Sequence, residues 1–201
     1  MKSRKINLIW YPAFLLILLV SGCGAGKNTA MLKDSNRKDV RLIAVLPVLN
    51  ETSDQQAAAM LRDKVLNALY FKGYPRIPVQ NIDGKLNAVQ PNGKNPADKV
   101  EYSRALGEQM QIDAILYCDL KESRTTYHLL YSPMSVAAVF ELRSAKTGKL
   151  LWQNSYSATW RNYGISKDSL RLKISQEYEP AIQELVDKAM ESLPESPDIL
   201  G

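Results

Sequence analysis

Histidine and cysteine are scarce in this chain, and catalytic motifs are missing from it. The 201 residues include one histidine, His128, and two cysteines, Cys23 and Cys118. The nucleophile pattern GxSxG, the zinc-peptidase pattern HExxH and the EF-hand calcium loop do not occur. We therefore expect a protein that is not an enzyme and that uses no metal or other cofactor.

The amino terminus has the pattern of an export signal. Three cations occur within the first five residues, the apolar run Leu8–Val20 follows, and Ser21, Gly22 and Cys23 come next. This order is typical of a secretory signal peptide. As a helix the run would measure about 20 Å, which is short for a bilayer core of about 30 Å. An uncleaved signal anchor is the alternative, and the run's length makes it the weaker one.

A cysteine placed directly after two small residues resembles the lipobox of bacterial lipoproteins. The resemblance implies a signal peptide over residues 1–22, with Val20, Ser21 and Gly22 as the cleavage motif. It also implies that Cys23 carries a covalent lipid, an S-diacylglycerol together with an N-acyl chain, in place of any cofactor. Gly24 follows the cysteine where an aspartate would indicate inner-membrane retention. By this resemblance we expect a lipid anchor in the outer membrane and a domain that faces the periplasm.

Processing would change the charge of the chain. Removal of residues 1–22 lowers the number of basic side chains from 26 to 23, while the 21 acidic side chains all remain. The net charge therefore falls from +5 to +2. No cationic run remains that would suit nucleic acid. With Cys23 lipidated, Cys118 is the last thiol, which excludes an internal disulfide and, together with a single histidine, a typical structural zinc site.

The mature chain is predicted to be one domain on a tether. Residues 23–39 are polar and read as the tether, residues 40–193 as the domain, and residues 194–201 as a frayed tail. The first half of the domain is predicted from local patterns. It comprises strand Arg41–Val48, a helix capped by Ser53 and ending near Gly73, strand Arg76–Gln80, the long loop Asn81–Asn95, and a helix capped by Asn95 with Pro96 in its first turn.

The second half of the domain is predicted to be mainly strands. Its elements are strand Ile112–Leu120, a β-prone stretch Arg124–Tyr131, the hairpin strands Ser135–Ala145 and Lys149–Trp160 around Lys146-Thr147-Gly148, and helix Ser166–Leu193, which Pro180 kinks or divides. The resulting order is β-α-β-α-β-β-β-α. The expected fold class is therefore α/β, a mixed β-sheet with flanking helices in a single domain.

Polar residues of the predicted strand Ile112–Leu120 could suggest catalysis, but their placement argues against it. Cys118 alternates with Ile112, Ala114 and Leu116, so it reads as a small buried core residue. Asp113 and Asp119 share the other face of the strand about 20 Å apart, too far for paired acid–base work. We expect them to be solvated charges and His128 to be an ordinary strand residue.

An aromatic stripe marks the second hairpin strand. Trp152, Tyr156, Ala158 and Trp160 share one strand parity, which favours a core stripe. At the end of the strand, Trp160, Arg161 and Tyr163 are the candidate partner-binding residues, because Trp, Tyr and Arg dominate binding hot spots.

Three segments carry a family resemblance: IAVLPVLNET at 43–52, DAILY at 113–117 and TGKLLW at 147–152. They resemble a family of bacterial lipoproteins of unknown function with a neisserial surface-antigen member. Its domain is similar to the TolB amino-terminal domain and, more distantly, to the curli-secretion lipoprotein CsgG. The resemblance implies a periplasmic α/β domain on an outer-membrane anchor, an accessory role in envelope transport or secretion, and self-association.

Together these observations predict a non-enzymatic lipoprotein that docks envelope proteins, with the membrane, envelope proteins and further copies of itself as partners and no nucleic acid. The alternative is a lipoprotein that binds a small ligand or peptide with loop 81–95 as its lid. A hydrolase built on Cys118 and His128 comes third.

Overall fold

The computed structural model describes residues 28–31, as backbone only, together with residues 40–89 and 98–198. The predicted cleavage motif, Cys23 and most of the tether lie outside these residues. The strands are β1 (Asn28–Met31), β2 (Ile43–Val45), β3 (Leu49–Asn50), β4 (Ala114–Thr125), β5 (Tyr131–Ser144) and β6 (Leu150–Tyr163). The helices are α1 (Gln55–Phe71), α2 (Val79–Val89), α3 (Lys99–Met110) and α4 (Lys167–Met190).

The strands form one mixed sheet, which confirms the predicted fold class. Its order is β1-β6-β5-β4-β2, and β3 also pairs with β4. β2 and β3 run parallel to β4, whereas β4, β5, β6 and β1 are antiparallel neighbours. The parallel pairs arise because α1, α2 and α3 all lie between β3 and β4 in the chain, so the connection crosses over the sheet.

The hairpin of β5 and β6 contains the longest strands of the sheet. Its turn is Lys146-Thr147-Gly148, as predicted, and Gly148 has φ +70°. The amide of Gly148 donates to the Ser144 carbonyl at 2.8 Å and closes the turn. Each strand has 14 residues, so the hairpin is longer than the sequence predicts. β4 runs beside it with an irregular register between Leu120 and Glu122.

One face of the sheet holds the main core under α1 and α4. The predicted stripe of α1, Leu61, Val65 and Leu69, is buried there. The predicted aromatic stripe of β6 lies on the same face, with Trp152 and Tyr156 buried and Trp160 half-buried against the cluster. α4 is one continuous helix with Pro180 inside it.

Among the described residues, helices cover the other face only at one end of the sheet. There α2 and α3 pack on β2 and the start of β4, which buries a second cluster. Its fully or nearly fully buried members are Ala44, Leu46, Ile82, Leu106, Ile112, Ile115, Tyr117 and Ala145. The first residues of β4 are therefore buried on both faces, although their alternation predicts one apolar face.

Local predictions between β3 and β4 need correction. The predicted strand Arg76–Gln80 leads into α2, because the Pro78 carbonyl accepts from Asn81 at 3.0 Å and so begins a helical turn. Much of the predicted loop 81–95 is α2, and residues 90–97 lie outside the described part. Asp54, not Ser53, caps α1, and Asp98, not Asn95, caps α3.

Residues 194–198 differ from the frayed tail predicted over residues 194–201, and residues 199–201 lie outside the described part. The Ser196 amide donates to the Lys72 carbonyl at 2.8 Å, and the Tyr74 hydroxyl donates to the Pro194 carbonyl at 3.1 Å. Leu193 is buried in the main core. Residues 194–198 are thus held against the segment that follows α1.

Candidate interaction surfaces

The residues of the third, hydrolytic hypothesis do not form a site. Cys118 is buried in the main core, as predicted, and burial raises the pKa of its thiol far above the usual range. A thiol of this kind is not a nucleophile. His128 lies in the exposed turn between β4 and β5, where its ring stacks on Tyr131 with centroids 4.7 Å apart. Asp113 is exposed, and its Oδ2 accepts the amides of Arg41 and Leu42, each at 2.9 Å.

Asp119 is not the solvated charge that its sequence position suggests. It is buried on the second face, with its Oδ2 at 3.6 Å from Lys99 Nζ and 3.9 Å from Lys121 Nζ. Lys99 also lies 3.2 Å from Glu141 Oε1, and Arg143 pairs with Glu141 Oε2 at 3.0 Å. We call these five residues the ionic cluster. It forms because α3 places Lys99 over the sheet where its second face is only partly covered.

The pKa values of the two carboxylates in the ionic cluster shift in opposite directions. Burial raises the pKa of Asp119, and the attraction of Lys99 and Lys121 does not fully offset it. Burial also raises the pKa of Glu141, but its hydrogen bond from Lys99 and the pairing with Arg143 outweigh this and leave the pKa lowered. Because each charge has a partner, the cluster has the character of a structural network rather than of an acid–base pair.

A second polar junction joins α1, β4 and α4. Asp54 caps α1 by accepting from the Ala57 amide at 2.9 Å, and it also accepts from Ser123 Oγ at 2.8 Å and from the Tyr178 hydroxyl. Burial and the bond to Asp54 raise the pKa of Tyr178 to about 12. Burial acts to raise the pKa of Asp54, but these donors lower it overall. The junction fixes α4 over the far part of the sheet.

The far part of the second face has no helix over it among the described residues. We call this surface the open face. Its side chains are small and alternate with the buried positions of β5 and β6, and Ser135 and Thr159 bond across the strands at 2.9 Å. The open face consists of Ser135, Ala137, Val139, Ser155, Ser157 and Thr159.

The end of the hairpin away from Gly148 exposes large apolar side chains. We call it the apolar tip, and it consists of Tyr127, Leu129, Leu130, Tyr163 and Ile165. Only some of the predicted binding residues lie at the apolar tip. Tyr163 belongs to the tip and Arg161 is exposed beside it, whereas Trp160 turns to the helical face and donates its Nε1 to Glu184 at 3.1 Å. Sequence reasoning missed Ile165 and assigned Leu129 and Leu130 to a strand.

An open cleft lies beside α2, near the predicted lid. It measures about 460 Å³, and Leu42, Ile77, Gln80, Asn81, Gly84, Lys85, Met110 and Ile112 line it. Part of the predicted lid is thus the helical wall of the cleft. Within residues 40–89 and 98–198 no group of acidic, histidine or cysteine side chains could hold a metal ion. No helix in this part of the chain is long and apolar enough to cross a bilayer.

The described residues thus define a single α/β domain of mixed sheet and flanking helices, with an open sheet face and an exposed apolar end. The chain belongs to the family described as "Putative lipoprotein GNA1162-like", whose model matches residues 29–194. The resemblance drawn from the three sequence segments is confirmed, and the protein belongs to a lipoprotein family.

The chain is similar to several solved structures. The PelC dodecamer from Paraburkholderia phytofirmans is 17% identical over 83% of this chain and 95% of its own, with a TM-score of 0.52. Lipoprotein GNA1162 from Neisseria meningitidis is 26% identical over 69% of this chain and 96% of its own, with a TM-score of 0.49. No curated protein matches the chain.

Proposed function

We propose that this protein is a non-catalytic docking lipoprotein of the bacterial envelope, anchored in the outer membrane through Cys23, and that it assembles through its open face. A second copy of the chain is the proposed first occupant of that face. The assembly would then serve as an accessory part of a transport or secretion system.

The open face is the observation that carries this proposal. α4 covers one face of β5 and β6, and no described helix covers the other. An antiparallel sheet can leave one face uncovered, so this face is available to a partner. Small side chains such as Ala137 and Ser157 let a second backbone surface approach closely. PelC, a protein of the same fold, is described as a dodecamer, which supports association between copies.

The oligomeric state tests the open face directly. We expect the full-length protein, purified from membranes in detergent, to be oligomeric by light scattering, and Ser157→Arg to shift it to the monomer. Gln176→Arg is the matched control, because Gln176 is exposed on α4 on the opposite side of the sheet. A monomeric parent protein, or a Ser157→Arg variant as large as the parent, would contradict self-assembly.

Docking of other proteins is tested by capture after mild crosslinking in cells. We expect envelope proteins to be enriched over a Cys23→Ala control, because the anchor determines which proteins the domain can reach. Recovery of no envelope protein above that control would refute the docking role.

The anchor has its own test. Cys23→Ser should accumulate as an unprocessed precursor without acyl label, whereas the parent should begin at a lipid-modified Cys23 by mass spectrometry. Normal labelling of the variant would refute the lipidation site.

Ligand binding is the second candidate function, and the cleft beside α2 favours it. An added Cβ at Gly84 has no atom within 4 Å, so a side chain can begin there without a clash, and we expect Gly84→Arg to occupy the cleft. If the cleft binds apolar ligands, this variant should lose most of the fluorescence that the dye ANS gains with the parent. An equal signal would remove the cleft as a binding site.

A further inference from the structure

We propose that the apolar tip lies in the headgroup region of an anionic phospholipid membrane, as a second membrane contact beside the lipid anchor. The inference rests on the proposed anchor at Cys23. It assigns the two exposed surfaces different partners: the open face binds protein, and the tip binds the bilayer.

The first argument is the apolar surface itself. Ile165 is 95% exposed, Leu129 is 76% exposed and Tyr163 is 61% exposed. Three large apolar side chains exposed together at one end of a domain mark an interaction site rather than ordinary surface. Isoleucine and leucine side chains can enter the apolar part of a membrane, and the tyrosine hydroxyl can remain among the hydrated headgroups.

The backbone of the tip is held in place. The Gly164 amide donates to the Leu130 carbonyl at 3.0 Å, and the His128 amide donates to the Tyr131 carbonyl at 2.9 Å. The Tyr131 ring stacks between those of His128 and Tyr163, at 4.7 and 5.9 Å. The tip therefore presents its apolar side chains on a preorganised loop, so little conformational entropy is lost on binding.

The second argument is charge. Segments 122–131 and 161–173 contain five cations and two acids. The cations are Arg124, Arg161, Lys167, Arg171 and Lys173, the acids are Glu122 and Asp168, and Glu122 lies 3.8 Å from Arg124. Because the predicted mature chain carries only +2, the rest of it is net negative. Cations around an exposed apolar centre match an anionic lipid surface. They disfavour a second copy at the tip, since like charges would meet.

The third argument is the direction of the chain that leads to the anchor. β1 is antiparallel to β6 and pairs Asn28 with Ser155, so the amino-terminal end of β1 faces the tip. Cys23 precedes Asn28 by five positions, which span at most about 18 Å. Tyr163 at the tip lies eight residues beyond Ser155 on β6, about 26 Å away. Because 18 Å is shorter than 26 Å, we expect β6 to be inclined to the membrane normal when Cys23 and Tyr163 contact the same bilayer surface.

A single labelled cysteine can report the environment of the tip in the full-length lipoprotein. Cys118 is buried and Cys23 carries the lipid in this proposal, so Ile165→Cys would be the one site that reacts with the dye NBD. Lys146→Cys is the matched control, because Lys146 is exposed at the opposite end of the hairpin. Each protein is reconstituted into vesicles of phosphatidylethanolamine and phosphatidylglycerol in a ratio of about three to one, a composition whose anionic surface supplies the expected attraction.

We expect the dye at position 165 to shift to the blue and to lose more than half of its emission to doxyl-labelled lipid, and the dye at position 146 to do neither. Replacing Arg161 and Arg171 by Gln should weaken the quenching, as should vesicles of phosphatidylcholine alone. Equal emission at the two positions in the anionic vesicles would overturn the proposal.

Two further outcomes separate this inference from the proposed function. If the dye at position 165 is shielded in detergent without vesicles, and more so at higher protein concentration, the tip is a protein interface and the membrane proposal is wrong. If the unsubstituted chain itself takes up the dye at Cys23, the anchor fails instead, whatever the tip does.

Discussion

The two ends of the β4–β5–β6 sheet are built differently although the strands are continuous. At the base, next to β2, helices cover both faces, and residues such as Leu116 and Tyr117 are buried on opposite sides of one strand. In the distal half α4 covers one face, and the other is the open face that ends at the apolar tip. The difference shows that the base supplies stability and leaves the distal half free to present surfaces.

The largest expected effect separates the two faces of a single strand. Phe140→Ala should lower the free energy of unfolding by about 3–5 kcal/mol, because Phe140 is fully buried and its loss opens a cavity. Val139→Ala, at the next position on the open face, should cost less than about 1 kcal/mol. Denaturant unfolding at concentrations where the protein is monomeric measures both. Similar costs there would mean that another part of the same chain covers the open face.

The next expected effect is at the ionic cluster, which lies between the base and the distal half of the sheet. Glu141→Gln should cost about 1.5–3 kcal/mol at pH 7, because Glu141 accepts charged hydrogen bonds from Lys99 and Arg143. The folded-state pKa of Glu141 is lowered, so its contribution is present above the ordinary pKa and disappears as the pH falls through the lowered value. The cost of the substitution should therefore shrink below about pH 4.5, as measured by unfolding at several pH values.

Asp119→Asn is the matched comparison within the same cluster. The pKa of Asp119 is raised in the folded state, so the parent gains stability relative to the variant as the pH falls through the raised value. The two variants should thus show opposite trends with pH. Parallel trends would contradict the description of the cluster.

A smaller effect is expected at the cap of α1, where the distal half is joined to the helices. Asp54→Ala should cost about 1–2 kcal/mol, because the carboxylate caps the helix and also accepts from Ser123 and Tyr178. Ser53→Ala, at the exposed neighbour that the sequence pattern favours as the cap, should change stability by less than about 0.5 kcal/mol. Thermal unfolding of both variants distinguishes the two caps.

The smallest expected effect on stability is on the open face. At concentrations where the parent is monomeric, Ser157→Arg should change the free energy of unfolding by less than about 0.5 kcal/mol, because Ser157 is exposed. At higher concentrations association should stabilise the parent but not the variant. A large loss of stability in the monomer would contradict the exposed position of Ser157.

Patterns of several residues predicted the fold well, and single residues predicted its details poorly. The strand β4, the turn at Gly148 and the stripe of α1 were confirmed, because each depends on a pattern of several residues. The single apolar face predicted for β4 was wrong, since its first residues are buried on both faces. The caps at Ser53 and Asn95 and the strand Arg76–Gln80 were wrong. Asp54 has three donors that only tertiary structure brings to it, and Pro78 fits the first turn of a helix as well as an edge strand.

The candidate surfaces were predicted in part. Arg161 and Tyr163 were identified from residue type and lie at the tip or beside it, but Trp160 faces α4. The role of Asp119 depends on Lys99, which precedes it by twenty residues and reaches it through the packing of α3 on the sheet. Pairings of this kind leave no local signal.

By itself the sequence determined the α/β class, the lipoprotein family, the buried thiol of Cys118 and the shortage of catalytic groups, because each depends on composition or on short repeating patterns. Only the tertiary structure decided which sheet face stays open, which residues gather at the apolar tip, and that the amino-terminal end of β1 faces that tip. These properties depend on how elements distant in sequence pack together, and packing determines which side chains remain exposed to meet a partner.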